Sequence, residues 1–217
     1  MLRKFFQKTS GESDRKTPTT LTGPRIPRHS SGWGVMLKYL QTNPNLRVLD
    51  IGPTSSQNIN FLTSLGHSVY MADLVHEALT GGWIQPAEED EEPGFNAAGF
   101  FEHNLNFSGR EFDVVLLWTT LDYIPKGLVQ PLIEHLKQAV RGGGLVLATF
   151  HRKATGPNTE FCRYHLTGTD TVEMQGAEPH PVQRVYTNRS IENMFSEFGN
   201  NRFFIAQDNL YEVLITR

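Results

Sequence analysis

Short apolar runs alternate with amphipathic segments over most of this chain. Apolar residues spaced three or four apart predict helices, whereas short apolar runs bounded by turn residues predict strands. On this basis the predicted helices cover residues 33–40, 56–65, 76–82, 125–141 and 188–198. The predicted strands cover residues 47–51, 67–72, 99–103, 112–118, 145–150, 203–206 and 211–216.

The order of these elements predicts an α/β fold. Strands that alternate with helices favour a parallel sheet covered on both faces. The strands at 112–118 and 145–150 are continuously apolar, as burial on two faces requires. The strands at 203–206 and 211–216 lie too close together for a helical crossover, so we expect them to pair antiparallel at one edge.

Two segments depart from the alternating pattern. Residues 1–30 are rich in Lys, Arg, Ser, Thr, Gly and Pro and hold few apolar residues, so they predict a disordered basic tail before a single folded domain at 31–217. Residues 151–186 are predicted to be irregular, with room for short strands, and to cover a ligand site. The acidic run at 88–92 favours a solvated loop rather than a metal site.

The turn after the first predicted strand indicates a nucleotide-like ligand. Asp50 lies at the end of that strand, and Gly52 opens a turn of small residues before a helix. Glycine lets the backbone approach a ligand closely, and the N–H groups of a helix start favour polar or anionic atoms. Asp73 follows about twenty residues later, the spacing at which a carboxylate reaches ribose hydroxyls. These features favour an adenosyl ligand without pyrophosphate, and S-adenosylmethionine is the obvious candidate.

With these features the chain resembles the class I S-adenosylmethionine-dependent methyltransferases over residues 33–217. The stretches that carry the resemblance are Leu49-Asp50-Ile51-Gly52, Tyr70-Met71-Ala72-Asp73-Leu74, His103-Asn104-Leu105-Asn106, the strand at 112–118 and the glycine-rich turn at 142–147. The resemblance implies a Rossmann-like, doubly wound sheet of seven strands, S-adenosylmethionine as the cofactor and in-line methyl transfer. It assigns cofactor contacts to Asp50, Gly52, Pro53, Asp73, Leu74, Asn104, Leu105, Trp118 and Thr119.

The chain departs from the family pattern at three places. Thr54 and Ser56 replace the second and third glycines of the family's Gly-x-Gly-x-Gly turn, although small polar residues still permit close approach. Asn104 stands where an aspartate is more common. The Asn/Asp-Pro-Pro-aromatic motif of many amino-methylating nucleic-acid enzymes is absent, which argues against a DNA amine as the acceptor.

Catalytic candidates are harder to identify, because methyl transfer chiefly needs alignment of the reactants and exclusion of water. A base is required only when the acceptor must lose a proton. His151 directly follows a strand, and its ordinary pKa suits a base near neutral pH. We therefore predict His151 as the base, supported by Asp122 or Tyr123, with Tyr164 and His165 as further polar residues near the acceptor.

Composition limits the remaining possibilities. The chain has 217 residues, a formal net charge of −3 and one cysteine, Cys162. The negative charge argues against a broad nucleic-acid-binding face, and the single cysteine against a disulfide framework or a cysteine-only zinc site. No run approaches the roughly 18 apolar residues of a membrane span. We expect a cytoplasmic protein with a small-molecule methyl acceptor, no metal and no membrane partner; the oligomeric state follows from none of these features.

Three alternatives stay open at this point. The domain could bind an adenosyl ligand without chemistry, which the depleted glycine turn favours. It could be a nicotinamide dehydrogenase, although that class shows Gly-x-Gly-x-x-Gly after its first strand. It could also methylate RNA with help from the basic tail, in which case RNA binding should depend on salt.

Overall fold

The computed structural model describes residues 23–86, 93–156, 159–206 and 208–217. The helices there are α1 (Ser31–Thr42), α2 (Ser56–Ser64), α3 (Val75–Thr80), α4 (Ala97–Asn104), α5 (Thr120–Tyr123), α6 (Lys126–Ala139) and α7 (Asn188–Met194). The strands are β1 (Arg25–His29), β2 (Arg47–Ile51), β3 (Ser68–Ala72), β4 (Ile84–Gln85), β5 (Gly94–Phe95), β6 (Phe112–Trp118), β7 (Val140–His151), β8 (Cys162–Leu166), β9 (Thr171–Gly176), β10 (Asn201–Ile205) and β11 (Leu210–Thr216). None of the described helices has the length and apolar character that crossing a membrane requires.

The main sheet confirms the predicted α/β class. Its strand order in the described residues is β10-β11-β7-β6-β2-β3. Strands β3, β2, β6 and β7 are parallel, whereas β11 pairs antiparallel with β7 and with β10. This is a Rossmann-like sheet with the expected antiparallel hairpin, but it has six strands in the described chain rather than seven.

The missing strand is the one predicted at 99–103, and that prediction is wrong. These residues belong to helix α4, which begins after Asn96, whose side chain accepts a hydrogen bond from the Gly99 N–H. Phe100 is completely buried, and Phe101 stacks on the ring of His135 from α6. The two adjacent aromatic rings therefore pack on the helix layer, where a capped helix satisfies the backbone without a sheet partner.

Helices cover both faces of the main sheet, as the apolar central strands require. On one face, α1 contributes a buried stripe of Trp33, Met36 and Leu40. On the other face, α6 contributes buried leucines at the spacing of a helical stripe, including Leu128 and Leu132. The carboxyl ends of the parallel strands consequently meet at one edge, which we call the carboxyl edge.

A second sheet forms from a segment that the sequence predicts to be irregular. Strands β8 and β9 make an antiparallel hairpin, and β1 adds to β9 to give the order β1-β9-β8. The tail predicted at 1–30 is therefore too long, because residues 25–29 are a paired strand. Residues 1–22 and the acidic run at 88–92 lie outside the described residues.

Buried ion pairs of Arg28 hold β1 in place. The Arg28 guanidinium is 7% exposed, donates to Asp208 at 2.6 Å and pairs with the buried carboxylate of Glu212 on β11. Glu212 also accepts the Gly32 N–H at 2.7 Å. The composition of residues 25–29 is typical of a disordered tail, and the residues that order them lie near the other end of the chain, so local sequence does not predict the strand.

Candidate functional site

The carboxyl edge brings most of the predicted site residues together. Asp50 lies near the end of β2, and Gly52 directly follows this strand. Trp118 ends β6 and is followed by Thr119, and His151 ends β7. Asp73 follows β3, one strand further along the sheet. In open α/β sheets this edge, outside the carboxyl ends of the strands, is where ligands bind.

Trp118 covers the glycine turn, which we define as residues 52–56. A Cβ atom added to Gly52 would lie 3.1 Å from Cδ1 of Trp118, so the indole rests directly on this glycine. Trp118 is 4% exposed and has a φ of 44°, a left-handed backbone conformation that bulky residues rarely adopt. A bulky residue in this region carries backbone strain, which the contacts around it must hold.

Asp50 holds Trp118 in this position. Its carboxylate accepts a hydrogen bond from Trp118 Nε1 at 2.7 Å and another from Asn58 Nδ2 at 2.8 Å. The residue is 1% exposed. Burial raises the pKa of Asp50 to about 6, although the hydrogen bonds from Asn58 and Trp118 each lower it.

The hairpin of β8 and β9 closes over the same turn. Asn58 donates to the Tyr164 carbonyl at 3.0 Å and accepts the Leu166 N–H at 2.8 Å, so α2 is bound to the backbone of β8. The Tyr164 ring stacks on Trp118, with centroids 4.6 Å apart and planes within 2°. Thr119 hydrogen-bonds the Tyr164 side chain. The indole is thus sandwiched between Gly52 and Tyr164.

The raised pKa of Asp50 gives a testable pH dependence. The folded protein holds the Asp50 proton more tightly than the unfolded chain, so the free energy of unfolding should fall as pH rises from about 4 to 6. The difference between the ordinary value of 3.8 and about 6 corresponds to a loss of about 3 kcal/mol. Chemical denaturation of wild type and Asp50→Asn between pH 4 and 7 measures it.

The variant has a further, pH-independent cost, because its amide would face the Asn58 amide donor. The wild-type unfolding free energy minus that of Asp50→Asn should therefore decline with rising pH by about 3 kcal/mol on top of a constant offset. A difference that stays flat across this range would show that Asp50 does not titrate as its burial implies.

Asp73 lies among several cationic groups at the end of β3. As a whole residue Asp73 is exposed. Partial burial of its carboxylate raises the pKa of Asp73, while the nearby His180, His76 and Arg163 lower it. Its neighbour Leu74 is buried and directly precedes α3. Asp73 is therefore the accessible carboxylate of this edge, in contrast to the enclosed Asp50.

His151 and Asp122 form a buried pair at the neighbouring strand end. Asp122 Oδ2 accepts the His151 backbone N–H and contacts His151 Nδ1, both at 2.7 Å. The two residues are at most 1% exposed. Burial raises the pKa of Asp122 to about 6, against the effect of His151. Tyr123 completes the group, with its ring edge-on to the imidazole and its hydroxyl donating to the Thr159 carbonyl.

The segment at 177–186 covers this pair. The Asp122 carbonyl accepts the N–H groups of Gln183 at 2.7 Å and Arg184 at 3.2 Å. The predicted trio of His151, Asp122 and Tyr123 is thus assembled in the structure, but it lies beneath the covering segment rather than at its surface.

Asn104 and Leu105 lie apart from this group. Asn104 ends α4, and Leu105 lines a separate cavity of about 380 Å³ with His135 and Ala139 of α6. Because β7 begins directly after Ala139, this cavity lies towards the amino ends of the parallel strands. Pro53 stays at the glycine turn, half-buried.

Several site residues have no motif that would reveal them. Asn58 bridges Asp50 to β8, and Ser55 caps α2 while its hydroxyl contacts His165 Nδ1 at 2.9 Å. His165 in turn contacts Gln175 of β9 at 2.9 Å. The one available signal is the position of Ser55 and Asn58 within the turn that follows β2.

The arrangement offers two kinds of chemistry. Asp73 provides an accessible hydrogen-bond acceptor, suited to vicinal hydroxyls. The His151–Asp122 pair can hold an imidazole in a fixed orientation, since a carboxylate on Nδ1 fixes the ring. Both lie at the carboxyl edge, on either side of the strands that end in Gly52 and Trp118.

Comparisons with known proteins agree with this picture. The sequence model of a family described as a methyltransferase domain matches residues 26–201. A solved S-adenosylmethionine dependent methyltransferase from Mesorhizobium loti superposes with a TM-score of 0.50 at 15% identity, over 86% of this chain and 98% of its own. One from Clostridium acetobutylicum gives 0.51 at 14% identity, over 85% and 89%. At such identities they show a shared fold. No curated protein matches the chain.

Proposed function

Because the chain belongs to the methyltransferase domain family, as a class I S-adenosylmethionine-dependent member, we propose that it transfers a methyl group from S-adenosylmethionine to a small molecule. The observation that carries the proposal is the buried His151–Asp122 pair, at the same sheet edge as the accessible Asp73. A reactive group enclosed beneath a covering segment suits a small acceptor better than a macromolecule.

The residue types at the carboxyl edge suit the cofactor, but Trp118 must move before the cofactor can bind there. Asp73 is exposed and directly follows β3, where a carboxylate can accept hydrogen bonds from a ribose diol. Gly52 lacks a side chain where the backbone must approach a ligand, but the Trp118 indole covers it. Binding at the glycine turn therefore requires Trp118 to turn away from Gly52 and Tyr164.

The proposed roles of the chain's own residues follow from their contacts. The cofactor supplies an activated methyl group, and the protein orients and encloses the reactants. Asp122 orients His151 through Nδ1, and His151 takes a proton when the acceptor is a hydroxyl. The covering segment, bonded to the Asp122 carbonyl, excludes water from this pair.

Replacing Asp73 tests the cofactor part of the proposal. We expect Asp73→Ala to lower the affinity for S-adenosylhomocysteine at least tenfold, about 1.4 kcal/mol, because a charged acceptor of hydrogen bonds is lost. Isothermal titration calorimetry on the folded protein measures the affinity. Asp170→Ala, which removes another exposed aspartate, is the matched control and should leave it unchanged.

Titration with NAD separates this proposal from the dehydrogenase alternative. A heat of binding with NAD and none with S-adenosylhomocysteine would overturn the proposal. Equal affinity in Asp73→Ala and wild type would remove Asp73 from the ribose site.

A second candidate is a domain that binds the adenosyl ligand, or another partner, without methyl transfer. The observation that favours it is the closure of the glycine turn by Trp118 and β8. These residues of the chain already make the contacts near Gly52 that a ligand would otherwise make. Transfer of a labelled methyl group to any member of a broad panel of small molecules would exclude this candidate. Ligand binding without transfer across that panel would favour it.

A further inference from the structure

Two histidines and a glutamate from distant parts of the chain meet beside Asp73. His76 lies on α3, whereas Glu178 and His180 lie in the segment between β9 and α7. One ligand atom from each of the three lies within 4.8 Å of the others. Glu178 Oε2 is 2.9 Å from His76 Nδ1 and 3.9 Å from His180 Nε2.

The two imidazole nitrogens that face the carboxylate lack hydrogen-bond partners. Both His76 Nδ1 and His180 Nε2 are buried atoms without a hydrogen bond in the described structure, and the 2.9 Å contact of Nδ1 with Glu178 does not have hydrogen-bond geometry. The His180 side chain is only 9% exposed. Buried polar atoms are nearly always satisfied, so two such nitrogens facing one carboxylate call for an explanation, and their lone pairs can bind an ion.

From this geometry we propose that His76, Glu178 and His180 bind a divalent transition metal, with zinc as the best match. Zinc takes imidazole nitrogen and carboxylate oxygen at about 2.0 to 2.2 Å, which places tetrahedral ligand atoms about 3.3 Å apart. The observed spacings bracket this distance, so small side-chain rotations complete the site. Imidazole ligands favour zinc over magnesium or calcium, and three protein ligands leave one coordination position open.

The surroundings orient the ligands and balance the charge. The Phe161 ring packs edge-on against His180 with centroids 5.3 Å apart, which restricts the imidazole before any metal binds. Asp73 interacts electrostatically with both histidines, so a second carboxylate offsets the positive charge of the ion. Arg163 also interacts with Asp73, and its positive charge opposes the binding of a cation nearby.

The position of the site gives the metal a structural consequence. At one end, the covering segment is bonded to the Asp122 carbonyl through Gln183 and Arg184. A metal on Glu178 and His180 would fix its other end to α3 through His76. The ion would thereby hold the segment across the carboxyl edge, from the His151–Asp122 pair to Asp73, and it would do so whether or not the domain transfers methyl groups.

Calorimetry with zinc on the metal-stripped full chain tests the proposal. We expect one zinc ion per chain with a dissociation constant in the micromolar range or tighter, and a rise in the thermal midpoint on adding zinc. His76→Ala and Glu178→Gln should each lower the zinc affinity at least 30-fold. His103→Ala, an exposed histidine on α4, is the matched control and should bind zinc like wild type.

His180→Ala removes a mostly buried ring, so its folding must be checked by circular dichroism. The His76 side chain is half-exposed, so His76→Ala is expected to fold and to test the site even if His180→Ala does not fold. X-ray absorption on the zinc-loaded protein should show two imidazoles and an oxygen ligand at about 2.0 to 2.2 Å. Zinc binding weaker than 100 μM in wild type, or unchanged in folded His76→Ala, would overturn the site. Neither readout depends on S-adenosylmethionine, so the methyltransferase proposal stands or fails separately.

Discussion

Trp118→Ala is expected to raise the affinity for S-adenosylhomocysteine at least tenfold. Under the proposed function the ligand binds at the glycine turn of wild type by displacing an indole that is hydrogen-bonded to the Asp50 carboxylate and stacked on Tyr164. A hydrogen bond to a charged group and an aromatic stack are together worth about 2 to 4 kcal/mol. Removing the indole removes this cost, and calorimetry against wild type measures the gain.

Three further variants sharpen the Trp118 experiment. Trp118→Phe keeps a ring but loses the N–H donor, so its affinity should lie between wild type and alanine. Trp118→Gly accommodates the positive φ without strain and serves if the alanine variant unfolds. Trp83→Ala removes a tryptophan bonded to Glu77 on α3 and should leave affinity unchanged. Weaker binding in folded Trp118→Ala would instead make the indole a wall of the cofactor site, as the sequence predicts.

His151→Ala is expected to lower the turnover of a hydroxyl acceptor at least 100-fold while the affinity for S-adenosylhomocysteine stays within about threefold. Loss of a positioned general base typically costs a factor of about 100 to 10,000. The assay is labelled methyl transfer to the best acceptor from the panel, with calorimetry for the cofactor. His151→Gln preserves most of the buried volume and should show the same loss.

Asp122→Asn tests whether Asp122 acts by orienting the proposed base His151 or only supports the fold. One amide oxygen can accept both hydrogen bonds that Asp122 Oδ2 receives, so the fold should persist. The imidazole would lose the charged partner that orients it, so turnover of a hydroxyl acceptor should fall while the affinity for S-adenosylhomocysteine stays within about threefold. Turnover that survives in folded His151→Ala over the whole pH range would exclude His151 as the base.

Local sequence patterns predict the central part of the fold. The unit of β2, α2 and β3 is confirmed, because its short apolar runs and the turn of small residues after β2 are local signals. The prediction failed where distant packing decides the structure. Helix α4 depends on the burial of Phe100, and β1 depends on Arg28 finding Glu212. The resemblance to class I methyltransferases is confirmed by the family match, although the described sheet has six strands.

The site shows the same division. His151 and Asp122 follow neighbouring parallel strands, so the pattern alone places them at one edge, and the structure joins them. Their roles stay predictions. The contact of Asn58 with Tyr164 needs the β8–β9 hairpin, which lies in the segment that the sequence predicts to be irregular. The approach of His76 to His180 likewise depends on how the covering segment folds back, so no spacing in the sequence reveals it.

The N-terminal strand connects the start of the described chain to the glycine turn. Strand β1 pairs with β9, β9 pairs with β8, and β8 holds Asn58 and the ring that rests on Trp118. Strand β1 is also bound to the main sheet, because Arg28 pairs with Glu212 on β11. Displacing β1 would therefore disturb two parts of the molecule at once, the hairpin that covers the glycine turn and strand β11 of the main sheet.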